Sequence, residues 1–167
     1  MKKTNKIPRE IALTRMQALA SKSEKCESDI IGRLDRMGLN ENEKQWVLEK
    51  LIKDKFIDNK RFTEFYVKDK FNISGWGKKK IEHALLFKQI PGDVIHEAIQ
   101  EIDISDYKKT LEKLLIQKNK NLKDKNIYSR KGKLFRFAAQ RGFESDLIND
   151  VINNIIECHF RLDHPKL

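Results

Sequence analysis

Gly38-Leu39, Gln89-Ile90 and Gly142-Phe143 recur at separations of 51 and 53 residues. The residues after each pair keep the register. Val47-Leu48, Ala98-Ile99 and Val151-Ile152 stand eight and nine residues after Leu39, Ile90 and Phe143, and Leu51, Ile102 and Ile155 continue the line. A period of about fifty residues limits each copy to a few short elements, whose apolar faces must be covered by one another or by a neighbour. The expected fold is therefore all-α: three tandem three-helix repeats forming an elongated, curved body. The repeats span residues 9–57, 58–104 and 105–160, between a flexible basic N-terminus (1–8) and a flexible C-terminal tail (161–167).

Helical spacing supports this copy by copy, and no segment shows strand alternation bounded by hairpin turns. In the first repeat, Ile11, Leu13, Met16, Leu19 and Ala20 give a helix ending near Ser21. Ser23 or Ser28 is the expected cap of the second, with Ile30, Ile31, Leu34 and Met37 before Gly38 closes it. Asn40 caps the third, whose Val47, Leu48, Leu51 and Ile52 are expected inside. In the middle repeat Asp58 can cap a helix carrying Phe62, Phe65, Tyr66 and Ile73. Gly75 can take the positive φ that ends it, Gly77 can sit at the next N-cap, and Ile81, Ala84, Leu85 and Phe87 form a second stripe. The third repeat opens at Ser105 or Asp106 with Tyr107, Leu111, Leu114 and Leu115 inward. A lysine-rich connector (117–126) leads to Leu134, Phe135, Phe137 and Ala138; Gly142 ends that helix and Ser145 caps the last.

Charge narrows the function. The formal net charge is +10 with 36% charged residues, a field that attracts polyanions or acidic protein surfaces. Lys60, Arg61, Lys68 and Lys70 lie on one helix of the middle repeat and Lys78, Lys79 and Lys80 at the start of the next, so seven cations flank one Gly75-Trp76-Gly77 corner. Such residues neutralise phosphates without reading bases, and Trp76 can stack on a base or plug the corner. Arg61 can equally pair with Asp58 or Glu64 at helical spacing. Lys131, Lys133 and Arg136 offer a further cationic surface in the third repeat.

Enzyme signatures are missing. The chain has no GxxxxGK[ST], GxGxxG, HExxH or GxSxG motif, so no catalytic residue and no cofactor are expected. Cys158, His159 and His164 make three possible metal ligands near one end, short of the four that a structural zinc site takes, and no metal is expected. Cys26 and Cys158 are far apart and unpaired in pattern, which suits a reducing cytoplasm. Arg9, Glu10 and Arg15 interrupt any apolar core after Met1-Lys2-Lys3, and no run of about 18 apolar residues exists. Neither secretion nor a membrane span is expected.

The run Phe56-Ile57-Asp58-Asn59-Lys60-Arg61-Phe62, then Tyr66-Val67-Lys68-Asp69-Lys70, Gly75-Trp76-Gly77 and Lys80-Ile81, resembles the signature of the RecX proteins, regulators of the RecA recombinase. So does the run from Lys133 through Phe135, Arg136 and Gly142 to Phe143, with Ile148 and Val151-Ile152. Lys78 stands where the family usually has a helix-opening proline, Ala84 where it often has Glu, and Gln89 where it usually has the helix-ending glycine. The resemblance implies a monomeric, non-enzymatic protein that binds the RecA filament on single-stranded DNA. It would mostly inhibit the filament's recombinase, ATPase and coprotease activities in DNA repair and the SOS response. It also implies structural roles for Asp58, Phe62, Tyr66, Gly75, Gly77, Ile81, Leu85, Gly142 and Phe143. The competing expectation is a helical nucleic-acid-binding protein acting without RecA, with residues 78–88 as a recognition helix and Gln89 as the main base-reading candidate.

Overall fold

The computed structural model describes residues 7–124 and 126–163, with side chains as far as Ile156. The expectations for the first six residues, for the tail from His164 and for the side chains of Cys158 and His159 fall outside them. Nine helices succeed one another among the described residues, and no strand occurs there. They are α1 (Arg9–Ala20), α2 (Glu27–Arg36), α3 (Glu41–Lys53), α4 (Asn59–Asn72), α5 (Lys78–Phe87), α6 (Gly92–Gln100), α7 (Ile104–Lys120), α8 (Ile127–Gln140) and α9 (Ser145–Asp163). The order runs in threes, as the period requires. No helix among the described residues is long and apolar enough to cross a membrane.

The chain forms two compact units, one of Met1–Tyr66 with Leu85–Ile95, the other of Val67–Ala84 with His96–Leu167. In the first, α1 and α2 pack on α3. Ala12, Met16, Ile30, Leu34, Val47, Leu48 and Leu51 make the core, and Leu39 and Ile57 close its ends. Asn40 sets the start of α3: its side chain accepts from the Glu43 N–H while the Glu43 carboxylate accepts from the Asn40 N–H. Asp58 starts α4 likewise, its carboxylate accepting from the backbone of Lys60 and Arg61 at 2.8 and 3.0 Å. Asn59 reaches across to Glu27. Lys88 pairs with Asp29 at 2.7 Å and lies 5.6 Å above the Phe62 ring.

In the second unit α7, α8 and α9 pack pairwise. A run of rings, Phe71 to Tyr107 at 5.8 Å and Tyr107 to Phe143 at 5.1 Å, lies among buried Leu111, Leu115, Leu134, Ile148 and Val151. Asp103 opens α7, its carboxylate accepting from Asp106 N–H, which moves the start ahead of Ser105 and Asp106.

Other local expectations are corrected too. Phe65, Ile73 and Phe87 are 66%, 81% and 86% exposed, and Ile11 and Ile52 are exposed as well. A stripe of apolar residues is wider than the face a short helix can bury, so its edges stay in water. Cys26, not Ser23 or Ser28, occupies the N-cap of α2, and it makes no side-chain cap bond. Glu144 precedes α9 and its carbonyl accepts the first helical bond, which places Ser145 inside the helix. Residues 117–120 belong to α7 rather than to a connector: Arg130 holds both the side chain and the carbonyl of buried Asn119 and also the Leu122 carbonyl, fastening the end of that helix.

Candidate nucleic-acid interface

The corner between α4 and α5 is held by backbone contact with the corner between α8 and α9. Gly75 (φ 63°) turns the chain out of α4, Gly142 (φ 87°) turns it out of α8, and the two turns meet. The Gly77 N–H donates to the Arg141 carbonyl at 2.7 Å and the Lys79 N–H to the Gly142 carbonyl at 3.1 Å. A Cβ on Gly77 would lie 2.3 Å from the Gly142 carbonyl group, and one on Gly142 would lie 2.3 Å from Lys80 Cβ. Arg141 adds a third tie, donating from Nη1 to the Ser74 carbonyl at 3.1 Å. Tyr107 adds a fourth: its hydroxyl accepts from the Lys78 N–H at 2.9 Å and donates to Glu144 Oε2 at 2.7 Å. Burial above all, with the Glu144 carboxylate adding to it against the Lys78 N–H, pushes the Tyr107 phenol far above its ordinary range, so it stays a donor.

On this frame the sequence-predicted cations divide by environment. Lys68 and Lys79 are exposed, and neither side chain makes an ion pair among the described residues. Lys70 pairs with Asp69 at 2.8 Å and lies 5.6 Å from the centre of the Trp76 ring. Lys80 lies 4.4 Å from the same centre, and its ammonium also reaches the Gln140 carbonyl at 3.4 Å. Lys78 lies over the Tyr107 ring at 5.0 Å. Trp76 is half-buried, neither a fully covered plug nor a fully open ring. The start of α5 thus carries three lysines and no acidic residue in its first turn.

The α8 cations lie in the same unit. Lys131 donates to the Asn153 side chain at 2.9 Å, and Lys133 is held by both oxygens of Asp124 at 2.7 Å. That ammonium, through its hydrogen bond, holds the Asp124 carboxyl below the usual carboxylate range. Arg136 is exposed, with no ion pair among the described residues. Arg61 belongs to the other unit and is committed locally: its Nε pairs with Glu24 at 2.8 Å and its Nη2 donates to the Lys55 carbonyl. The partner is therefore neither Asp58 nor Glu64, which were expected from helical spacing.

Among the motif residues, Phe62, Ile81, Leu85 and Phe143 are buried, and Tyr66 packs on Phe62 at 5.6 Å between ring centres. Two residues of the site, Arg141 and Phe137, were not among the contact residues expected from the sequence. Arg141 precedes the predicted Gly142 inside the Lys133–Phe143 run, and Phe137 was read as core within the same run, yet it is half-buried with cations over its ring.

The family model described as the RecX second three-helix domain matches residues 58–99, and that of the RecX third three-helix domain matches residues 106–152. Regulatory protein RecX of Clostridium perfringens (strain 13 / Type A) is 28% identical over 136 residues, covering 80% of this chain and 63% of the relative. Regulatory protein RecX of Oceanobacillus iheyensis is 26% identical over 129 residues, covering 77% and 47%. The chain therefore spans about half to two thirds of the length of these curated relatives. A crystal structure of regulatory protein RecX superposes with a TM-score of 0.79 at 22% identity, over 87% of this chain and 71% of that one. That of RecX from Lactobacillus salivarius gives 0.77 at 18%, over 87% and 95%. At such identities the superpositions establish the fold.

Proposed function

The chain belongs to the RecX family, and on that premise we propose that it is a non-enzymatic, monomeric regulator that binds the RecA filament on single-stranded DNA in the cytoplasm. It mostly inhibits the filament's recombinase, ATPase and coprotease activities, and so acts in DNA repair and the SOS response. The division into three repeats at 57/58 and 104/105 is part of the same reading.

The observation that carries the reading is the α4–α5 corner: an aromatic ring with two ammonium groups near it, beside a helix start that bears three lysines and no carboxylate in its first turn. Positive charge adds there to the positive end of the helix dipole, which favours a polyanion such as a phosphate backbone. Lys68, Lys70, Trp76, Lys78, Lys79 and Lys80 are the contact residues. Lys131, Lys133 and Arg136 extend the surface within the same unit, and Arg61, in the other unit, is a separate contact through its partly exposed guanidinium. A recognition helix at 78–88 is less favoured, because the exposed side of α5 presents Glu82, His83, Leu86 and Phe87 rather than a set of base-reading donors.

The test is ATP hydrolysis by RecA on single-stranded DNA with this protein at sub-stoichiometric amounts. Slower hydrolysis is expected, and no change would count against the regulator. The Lys68→Ala/Lys79→Ala variant should inhibit less. It should also lower the slope of log affinity for single strands against log salt by about 1.4, or 0.7 for each phosphate no longer neutralised. Both sites are exposed, so melting should change little. Unaltered salt dependence would move the contact surface away from this corner.

A further inference from the structure

Between α7 and α8 lies an open hollow of about 240 Å³, lined by Lys118, Leu122, Lys133, Arg136, Phe137 and Gln140. Like the α4–α5 corner, it presents an aromatic ring with two cations near it. The Phe137 ring has the Lys118 ammonium at 5.3 Å and the Arg141 guanidinium at 4.7 Å from its centre, much as Trp76 has Lys70 and Lys80. Two side chains join the places: Arg141 also holds the Ser74 carbonyl before Trp76, and Lys80 reaches the carbonyl of Gln140.

We infer that this hollow is a nucleotide subsite for single-stranded nucleic acid: one base stacks on Phe137 while the adjoining phosphates are taken by Lys118, Lys133 and Arg136. The inference rests on the proposed polyanion surface and deepens it by naming a second stacking station. Carboxylates of an acidic peptide would satisfy the cations but make no use of the ring, whereas a base offers a π-face and a phosphate on one ligand. In the free protein the cations are held by what the ligand would replace. The Phe137 face carries Lys118 and Arg141, and Lys133 is occupied by Asp124 at 2.7 Å. Asp124 is thus a built-in competitor for the phosphate.

The experiment is fluorescence anisotropy with the full chain and no recombinase, using labelled oligothymidylate of about twelve nucleotides and the same strand made abasic. Phe137→Leu keeps apolar volume and removes the ring. It should weaken oligothymidylate binding about five- to 150-fold, the range for removal of one stack, and leave the abasic strand unaffected. Arg136→Ala, at an exposed site, should reduce the salt slope by about 0.7, and Asp124→Asn should tighten binding and steepen the slope by releasing Lys133. Asp150→Asn, on α9, controls for net charge and should do neither. The inference is overturned if the wild type does not bind the strand, if Phe137→Leu binds as tightly as wild type, or if the abasic strand binds equally well. It is also overturned if polyaspartate competes as effectively as the oligonucleotide, which would make the hollow an acidic-peptide site. Wild type that slows RecA hydrolysis while Phe137→Leu still binds normally would refute the subsite and leave the regulator standing; loss of strand binding in Phe137→Leu with no effect of wild type on hydrolysis would do the reverse.

Discussion

Gly77→Ala tests the frame on which the lysines stand. The added Cβ would meet the Gly142 carbonyl carbon and oxygen at 2.3 Å and Phe143 N at 2.4 Å, all backbone atoms that no rotamer change can move. Ordinary contact begins near 3.4 Å, so the two corners must part by about 1 Å. A displacement of that size takes the Gly77 to Arg141 bond (2.7 Å) and the Lys79 to Gly142 bond (3.1 Å) out of hydrogen-bond reach. Each amide left without a partner away from water costs about 1–3 kcal/mol, giving about 2–6 kcal/mol for the pair. A domain holds only about 5–15 kcal/mol in all.

Urea unfolding monitored by circular dichroism measures the loss. With a slope of about 2 kcal/mol per molar, the midpoint should fall by about 1–3 M. Gly92→Ala is the control: a Cβ there meets nothing within 4 Å, and Gly92 lies in the first turn of α6. It should be neutral or stabilise by up to about 1 kcal/mol, because alanine has less freedom to lose on folding. Gly77→Ala with a midpoint as high as Gly92→Ala would show that the backbones do not meet in solution, and the account of the corner would fail.

Gln89 holds φ 61°, where the left-handed backbone costs a side chain about 1–2 kcal/mol, so Gln89→Gly should gain roughly 0.5–1 kcal/mol, read as a melting temperature about 2–4 °C higher; a lower melting temperature would contradict it. Tyr107→Phe leaves the Lys78 N–H and the Glu144 carboxylate without their shared partner and should cost about 1–3 kcal/mol in the same urea assay. Burial alone would raise the Asp29 carboxyl, but hydrogen bonds from Lys88 and Cys26 outweigh it and hold the group below its ordinary range. A depressed carboxyl gives stability that is whole above its unfolded value and lost as pH falls through its folded one, so Asp29→Asn should destabilise at pH 7 and hardly at all near pH 2; an equal loss at both would rule out the ion pair as the cause.

The features legible in the sequence were those that side chains decide locally. Asn40 and Asp58 cap α3 and α4 because their oxygens reach the next amides. Gln89 takes a left-handed turn that its own chemistry does not favour, and what pointed there was its register with Gly38 and Gly142 and the family's usual glycine at that place. The features that stayed hidden depend on groups far apart in the chain. Gly77 and Gly142 each have a sufficient local explanation, as a cap and a helix end, so nothing in either neighbourhood says that their backbones touch. The Arg61 partner, Glu24, is 37 residues away, whereas spacing offered Asp58 and Glu64. Phe65, Ile73 and Phe87 fit the helical period yet face water, since periodicity marks a stripe without saying how much of it a neighbour covers.

The first turn of α5 breaks a rule that α3 obeys. Helix α3 begins with Glu41 and Glu43, carboxylates where the dipole is positive, while α5 begins with Lys78, Lys79 and Lys80. Each cation so placed costs about 0.3–1 kcal/mol at low salt rather than contributing it. The fold offsets this by giving the Lys78 and Lys79 amides outside acceptors, the Tyr107 hydroxyl and the Gly142 carbonyl, and by setting two of the three ammonium groups over the Tyr107 and Trp76 rings. A local violation surrounded by compensations is where a chain serves something other than its own stability. On the proposed reading, an anion arriving at this turn meets the dipole and the three charges acting in one direction, offset in part by the loss of any cation–π contact it displaces. The repulsion that the free protein carries there would become attraction on such binding, which accounts on that reading for lysines at the start of α5 rather than along its solvent face.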